Sequence, residues 1–393
     1  MTSDESKKLA FGGLLAMAAA LGIGRFVYTP ILPLMLEALG WSKVDAGLVA
    51  SANFLGYLVG ALIAGRKMFS VNPRQWLLIA LMLSAASTVA MAMPAPMYVL
   101  SGLRFIGGLA SAFVIICASA LVLEQLSAAG RGHLAAVHFA GVGTGVIVSA
   151  AVVAALVASG AGWRSLWMTT GLIAFVAALL VAGLVRPVVT KQNLEQSVQD
   201  SAAKPGLAGM IVAYGLFGFG YVITATFLVT IVRETAEIRP LEPWIWMLFG
   251  FAAVPSVPLW QRLGQRIGFM KAFAVACVIE AIGVAASVEW VTIPGVCVSA
   301  LLLGGTFMGL TALGLMSGRT LSGGQPQRVI GWMTASFGAG QMIGPTVAGI
   351  LSEYSGNLRS ASLAAAAALV LAAALAVATS LQLTHAADPL KQV

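Results

Sequence analysis

The chain has 393 residues, of which 59% are hydrophobic and only 9% are charged. Soluble domains carry roughly 25% charged residues, so this composition excludes an ordinary soluble protein and predicts an integral membrane protein. The net charge of +8 does not indicate nucleic-acid binding, because the basic residues form short clusters between apolar runs.

Apolar runs long enough to cross a bilayer follow one another along the chain. A membrane-spanning helix needs about 20 mostly apolar residues. The charge-free run 75–103 is divided at Pro94 and Pro96, because proline disrupts a helix interior. The sequence therefore predicts an all-α integral membrane protein with twelve transmembrane helices, over 9–36, 45–65, 75–93, 97–123, 134–158, 164–185, 207–232, 243–261, 270–288, 292–316, 330–352 and 360–382.

The distribution of lysine and arginine predicts the orientation of these helices. Fifteen of the 22 basic residues fall in the termini and in the loops on the same side, and five fall in the opposite loops. By the positive-inside rule, both termini are expected in the cytoplasm, with the chain as a multi-pass protein of a bacterial inner membrane.

One long polar stretch, residues 186–206, follows the sixth predicted helix near the midpoint of the chain. Its composition indicates a cytoplasmic linker rather than another span. The predicted domains are therefore an N-terminal six-helix bundle over 1–185, the linker, and a C-terminal six-helix bundle over 207–393.

Internal repeats support this division into halves. Four short matches occur in the same order at offsets between 195 and 198 residues. Such a series indicates two halves related as parallel repeats. The matches are LGIGRF with FGFGYV (21–26 and 217–222), GLRFIGGL with ALLLGGTF (102–109 and 300–307), HFAGVG with SFGAGQ (138–143 and 336–341), and WRS with LRS (163–165 and 358–360).

Twelve helices, a repeat of six and a central linker resemble the major facilitator superfamily over the whole chain. RFIGGLASA (104–112) is similar to that family's Arg-x-x-x-Gly motif in the fourth helix, and GVGTG (141–145) has the glycine spacing of its antiporter motif without the proline. GIGRFVYTPILPLM (22–35) resembles the signature of the YbfB/YjiJ group. The resemblance implies two pseudo-symmetric bundles and secondary active transport by alternating access.

A cytoplasmic gate motif is also implied by this resemblance. The segment WQRLGQRIG (260–268), after the predicted eighth helix, resembles the family's pattern of acid-Arg-x-Gly-Arg, and AGRKMF (64–69) is a more degenerate counterpart after the second helix. Glutamine stands where the family often has aspartate. The gate residues carried over are Gln261, Arg262, Gly264 and Arg266.

Two arginines interrupt the apolar helices. Arg25 is the single charge between Leu9 and Leu36, and Arg104 lies in the fourth predicted helix. An arginine at the bilayer centre costs about 2.5–3.5 kcal/mol or more, so each needs a partner or a function. The resemblance places the first and fourth helices at the central cavity, and counting along each helix puts both arginines in the outer half of the membrane.

This pair predicts a site for a small organic anion, because guanidinium binds carboxylate and phosphate in a planar bidentate geometry. Structural bonding to neighbouring helices stays an alternative for both arginines, and Pro30 and Pro33 are expected to kink the first helix. Tyr221 stands at the repeat position of Arg25. The candidate substrate-binding residues are Arg25, Tyr28, Thr29, Arg104, Tyr221, Thr224 and Gln341.

Few protonatable side chains fall within the predicted helices. Glu280 in the ninth, Glu124 near the inner end of the fourth and His138 in the fifth are the candidates for proton coupling. The alternatives are a locally paired acid at Glu280, a cytoplasmic charge network at Glu124, and an interfacial position at His138.

The favoured function is secondary transport of a small organic anion. The alternatives are proton-coupled efflux of amphipathic or drug-like compounds and, in a different class, a non-transporting membrane sensor. The sequence contains no G-x-x-x-x-G-K-[ST] motif and no catalytic or metal-ligand spacing, so neither an enzyme nor a cofactor is expected. The expected partners are a small-molecule substrate, protons and the lipid bilayer, with no nucleic acid, and the chain is expected to be a monomer.

Overall fold

The computed structural model describes residues 2–64, 72–185 and 204–386. These residues form helices and connecting turns, without a strand in the described part. The predicted all-α fold is confirmed. Its twelve helical segments are α1 (Ser3–Leu39), α2 (Lys43–Ala64), α3 (Pro73–Ala90), α4 (Met97–Ala128), α5 (Ala135–Ala158), α6 (Trp163–Leu184), α7 (Leu207–Glu234), α8 (Glu242–Ala253 and Ser256–Ile267), α9 (Phe269–Glu289), α10 (Ile293–Thr320), α11 (Pro326–Ser355) and α12 (Arg359–Ala386).

Most of these segments can cross a membrane by length and composition. Among the described residues, nine are long and apolar enough, and the bent pair that forms α8 makes a tenth. The other two are α3, which begins with the polar run Pro73–Arg74–Gln75, and α11, which carries polar residues such as Gln341. Both pack inside the bundle. Helix α3 packs against α4 and α6, and helix α11 packs against α2 and α7. Neighbouring helices therefore cover part of their surface.

The predicted linker falls largely outside the described residues, since the structure describes nothing between 186 and 203. Residues 65–71, which hold most of the AGRKMF segment, are also outside. The division into domains at 1–185, 186–206 and 207–393 therefore stays a prediction.

The first span is interrupted in the middle. It begins as an α-helix, forms a π-helix over Ala18–Ile23, turns, and resumes as an α-helix at Tyr28. The kink expected at Pro30 and Pro33 thus lies on their N-terminal side. Pro30 has no N–H to give to the carbonyl of Phe26, which accepts a 3.3 Å hydrogen bond from Thr29 N–H instead.

The eighth span differs from the prediction at its C-terminal end. The helix bends by 41° after Ala253 and continues to Ile267, so the segment predicted to follow the helix is itself helical. The predicted helix end at residue 261 is therefore six residues short, because a polar stretch can also form the exposed face of an amphipathic helix. Arg262 and Arg266 lie on the exposed face, whereas Gly264 is buried. Gln261 is half-buried.

Two ends of the bundle can be distinguished. The proximal end carries Ser3 and the turn at 129–134, which are joined by a hydrogen bond from Arg131 to the Ser3 hydroxyl. The distal end carries the turns at 40–42 and 235–241, on the opposite side of α1, α2 and α7. By the charge distribution, the distal end is the one expected to face away from the cytoplasm.

A small set of helices forms the contacts between the N-terminal and C-terminal halves. The segment Tyr28–Leu39 of α1 packs against α7, α2 packs along α11, and α5 packs against α8. The proximal segment Ser3–Met17 packs mainly against α5, α6 and α4 of its own half. Glycines permit the closest approach of α1 to α5, since a Cβ added at Gly22 would lie 2.5 Å from the Gly145 Cα. The interrupted part of α1 is thereby held in the centre of the bundle.

Candidate functional site

Arg25 lies in the interrupted part of α1 and is only 4% exposed. One guanidinium nitrogen, Nη2, donates a 3.0 Å hydrogen bond to Gln341 Oε1 on α11. The guanidinium carbon lies 4.6 Å from the ring centre of Phe54 and 4.3 Å from that of Tyr57, both on α2. The positive charge is therefore stabilised by aromatic faces and one neutral amide.

The charge of Arg25 has no ionic partner. No ion pair joins Arg25 to any residue of the described chain, and its Nε has no hydrogen-bond acceptor there. Buried charges are normally paired, because an unpaired ion loses its hydration without compensation. This position therefore offers a cation and an unused donor to an anion.

Arg104 has a different environment, although it lies beside Arg25. Its Nη1 and Nη2 donate 2.9 Å hydrogen bonds to the backbone carbonyls of Gly24 and Arg25. The interruption of α1 leaves these carbonyls in the turn, where they need partners other than the helix itself. Arg104 thus holds the backbone that presents Arg25.

A polar connection runs from Arg25 into the C-terminal half. Gln341 accepts from Arg25 through Oε1 and donates through Nε2 to the Tyr221 hydroxyl on α7. The Tyr221 ring stacks on Phe307 at 4.9 Å and on Phe217 at 5.2 Å between ring centres. The series Arg25–Gln341–Tyr221, here called the polar bridge, links α1, α11 and α7.

The other candidate substrate-binding residues are already bonded to backbone or lack a partner. Tyr28 donates to the Ala46 carbonyl at 2.9 Å, and Thr29 donates to the Ala225 carbonyl at 2.8 Å, which ties α1 to α7. Thr224 is fully buried, and its hydroxyl has no hydrogen-bond partner among the described residues. Tyr28 and Thr29 therefore serve packing between helices in this conformation.

A small cavity lies between the two arginines. Its lining comes from α1, α2, α4 and α7 and includes Arg25, Arg104, Thr29 and Thr226. Its volume is about 10 Å³, close to the minimum for a single water molecule. A larger ligand can enter only if the surrounding helices move.

A second cavity of about 350 Å³ lies on the distal side of the first, between α1, α5, α7 and α8. Its walls are mostly apolar and include Pro30, Val153 and Trp246, with Arg233 and Glu242 among its charged residues. Both cavities are lined by residues of α1 and α7. Side chains therefore do not completely fill the space on the distal side of the arginine pair.

Ion pairs join the halves at the distal end. Arg233 at the end of α7 bonds Glu37 on α1 at 2.5 Å and Glu242 on α8 at 2.8 Å. Lys43 at the start of α2 bonds Glu234 at 2.8 Å. The Arg233–Glu37 and Lys43–Glu234 pairs, here called the distal clamp, join the two halves on the side where the second cavity lies, whereas the Arg233–Glu242 pair lies within the C-terminal half.

The distal clamp predicts a shift in conformation when it is weakened. Arg233→Gln removes one partly exposed ion pair between the halves, which contributes about 0.2–1 kcal/mol, so we expect the distal-open population to rise by up to about fivefold. The measurement is the rate at which a thiol-reactive maleimide labels Val229→Cys in the second cavity, in a protein without its native cysteines.

Arg359→Gln is the matched control for this experiment. It breaks the Arg359–Glu289 ion pair, which joins α12 to α9 within the same half. The control should leave the labelling rate of Val229→Cys unchanged. Equal labelling rates in the wild-type, Arg233→Gln and Arg359→Gln proteins would contradict a clamping role for Arg233.

The three candidates for proton coupling lie in different environments. Glu124 is exposed near the proximal end of α4. His138 is fully buried near the proximal end of α5, and its Nε2 lies 3.1 Å from the Ser119 hydroxyl. Glu280 on α9 is fully buried, and neither carboxyl oxygen has a hydrogen-bond partner among the described residues, so the alternative of a locally paired acid does not hold there.

Phe54 and Tyr57 are contacts of Arg25 that sequence reasoning missed. Their spacing of three residues places both on one face of α2, which is a usable signal for a shared surface. The surface they contact could not be deduced from spacing. The gate candidates Gln261, Arg262, Gly264 and Arg266 lie in the last part of α8, apart from the arginine pair.

Comparison with known proteins gives a family match over most of the chain. A family model described as "Uncharacterised MFS-type transporter YbfB" matches residues 17–377. An uncharacterised MFS-type transporter of Yersinia pestis (strain Pestoides F) is 22% identical over 273 residues, which are 65% of this chain and 67% of that protein.

Solved structures show the same fold. A bacterial homologue of the human lysosomal transporter Spinster, in an inward-facing and occupied conformation, is similar with a TM-score of 0.75 at 14% identity, covering 99% of this chain and 100% of that one. A mutant of the nucleoside transporter NupG is similar with a TM-score of 0.74 at 15% identity, covering 95% of this chain and 99% of that one. At these identities the similarity concerns the fold alone.

Proposed function

The chain belongs to the YbfB-type family of major facilitator superfamily (MFS) transporters, and we propose that it carries a small organic anion across the membrane. Membership makes it a multi-pass membrane protein and a secondary transporter. The anion, the bacterial inner membrane as its location, and the cytoplasmic position of both termini belong to the proposal. The proposed substrate-binding centre is Arg25 with the neighbouring polar bridge.

The observation that supports this proposal is the unpaired charge of Arg25. Arg25 is 4% exposed and forms no ion pair with any described residue, while Arg104 beside it adds a second positive charge. An anion would supply the missing negative charge and accept a hydrogen bond from the unused Nε of Arg25. A neutral solute of the same shape would leave that charge uncompensated.

Alternating access gives the polar bridge a role in this proposal. The distal clamp and the packing of α1 on α7 join the halves on the distal side, and the cavity at the arginines is too small for an organic anion. An anion that binds Arg25 would compete with Gln341 for the guanidinium and so loosen the link between the halves. Substrate binding and movement of the halves would thereby be connected through one side chain.

A comparison of charged and neutral ligands tests this function. We expect benzoate to raise the thermal stability of the purified protein and benzamide, its neutral analogue of similar shape, to leave it unchanged. A ligand at 100 times its Kd stabilises the native state by about 2.7 kcal/mol, which a thermal-shift assay detects. Acetate with acetamide, and succinate with succinamide, extend the comparison to other sizes.

The outcome also separates the alternatives. Equal stabilisation by benzoate and benzamide would contradict a charge-selective site. The same conclusion would follow if none of the six compounds stabilised the protein. Stabilisation by lipophilic cations alone would favour the efflux of amphipathic compounds.

A further inference from the structure

The second cavity is a space between the two halves that the polar bridge does not use. Helices α1 and α5 line it from the N-terminal half, and α7, α8 and the turn at 235–241 line it from the C-terminal half. Its volume of about 350 Å³ is within the range of small-molecule pockets, about 300–1,000 Å³. One small ligand therefore fits there and would contact both halves at once.

The deep part of this cavity is apolar. Val153 of α5 lines it from one half, and Val229 of α7 and Trp246 of α8 line it from the other. All three side chains are buried, and the Trp246 ring stacks on Phe249 with 4.5 Å between ring centres. An alkyl chain that enters such a space leaves water, which strengthens binding by about fourfold for each buried methylene.

The outer part of the cavity carries charge and reaches the distal surface. Arg233 and Glu242 line it and form an ion pair with each other at 2.8 Å. Arg239 also lines it, is exposed, and forms no ion pair with any residue of the described chain. The lining therefore has an unpaired positive charge at its rim and apolar walls inside, which suits an anion with one apolar chain.

We propose that the second cavity binds a medium-chain carboxylate and that its occupancy favours the conformation in which the halves are joined at the distal end. The carboxylate lies at Arg239, and the chain extends towards Val153 and Trp246. Separation of the halves would remove part of these contacts, so binding and distal joining favour each other by linkage. The site is separate from Arg25, and a carboxylate bound there opposes the distal opening that alternating access requires.

The first experiment measures equilibrium binding of radiolabelled octanoate to the purified protein in phosphatidylcholine nanodiscs, with empty nanodiscs as background. We expect saturable binding, and an affinity that rises by up to about fourfold per methylene from butyrate through hexanoate to octanoate. Octanamide, the neutral analogue, should bind up to about fivefold more weakly, because it has no charge for the exposed Arg239. Absence of saturable octanoate binding to the wild type would overturn the proposal.

Variants locate this binding. Ala154→Phe places a ring in the cavity and should weaken octanoate binding by about tenfold or more, since it takes the space of at least two methylene groups. Ala155→Phe is the matched control, because Ala155 is exposed on the same helix and lies outside the lining. Arg25→Gln should retain octanoate binding. Equal affinities in the two alanine variants, or loss of binding in Arg25→Gln, would overturn the site.

A labelling experiment tests the site without filling it. In a protein without its native cysteines, octanoate should slow the reaction of a maleimide with Val229→Cys, which lies in the cavity. It should have no effect on Tyr354→Cys, because Tyr354 is 88% exposed on α11. Unprotected Val229→Cys at saturating octanoate would overturn the site even if Ala154→Phe did not fold.

Ser51→Cys reports on the conformation, because Ser51 lies outside the cavity and between the halves. Its hydroxyl lies 2.8 Å from that of Thr346 on α11, and the residue is 8% exposed. A ligand that binds only the joined state lowers the separated population about tenfold at ten times its Kd, so labelling of Ser51→Cys should slow by the same factor. Protection of Val229→Cys with an unchanged rate at Ser51→Cys would overturn the conformational effect and leave the binding site standing.

Discussion

Arg25→Gln is expected to weaken benzoate binding by about 100-fold or more, which corresponds to roughly 3 kcal/mol, and to abolish transport. The substitution removes the positive charge and the unused Nε donor while keeping a polar side chain next to Gln341. Binding is measured by titration of the purified protein, and transport by uptake into proteoliposomes.

The fold is expected to survive this substitution. Arg25 bonds side chains and aromatic rings but no backbone carbonyl, and an arginine in the bilayer interior costs about 2.5–3.5 kcal/mol or more. Arg25→Lys is the control, because it keeps the charge but lacks the planar donor geometry, so it should retain part of the affinity. Unchanged benzoate affinity in Arg25→Gln would show that Arg25 is not the anion contact.

Sequence alone locates Arg25 but not its surroundings. A single charge within an apolar run is visible from composition, and the bilayer makes it significant. Its contacts with Phe54, Tyr57 and Gln341 depend on how α2 and α11 pack beside α1. No periodicity within one helix determines which face of a distant helix it meets, so these contacts required the structure.

Arg104, like Arg25, is visible in the sequence as a charge within an apolar run, but its environment in the structure is different. Both arginines are 4% exposed, yet the guanidinium of Arg104 is bonded to two carbonyls while that of Arg25 is not. The difference arises from the interruption of α1 over residues 18–27. Pro30 predicts that helix α1 is disturbed, but the geometry of the interruption depends on how α1 packs against α4 and α5.

The fold could be predicted from the sequence more completely than the site. Hydropathy follows from local composition, and all twelve segments occur in the predicted order. The error at the end of α8 has a physical cause, since Trp260–Ile267 exposes polar residues on one face and buries Gly264 on the other. A rule that ends a span at the first cluster of charges cannot separate such an amphipathic extension from a loop.

Arg104→Met is expected to lower the free energy of unfolding by about 3 kcal/mol or more relative to Arg25→Met, since both substitutions relieve an equally buried charge and the difference reflects the lost hydrogen bonds. Hydrogen bonds to charged groups contribute about 1.5–3 kcal/mol each, and the substitution removes two of them. The carbonyls of Gly24 and Arg25 would then be left without donors in a region that excludes water. Reversible unfolding in mixed detergent micelles measures the change.

The same substitution at Arg25 is the matched control and makes this comparison decisive. Arg25→Met removes an equal charge from the same cavity but leaves no backbone carbonyl unsatisfied, because Arg25 donates to the side chain of Gln341. Its free energy of unfolding should stay within about 1 kcal/mol of the wild type, since relief of the buried charge offsets the lost contacts. Similar destabilisation by both substitutions would contradict the separation of roles. A stable Arg104→Met protein would show that the interruption of α1 holds without Arg104, and the position of Arg25 would then need another cause.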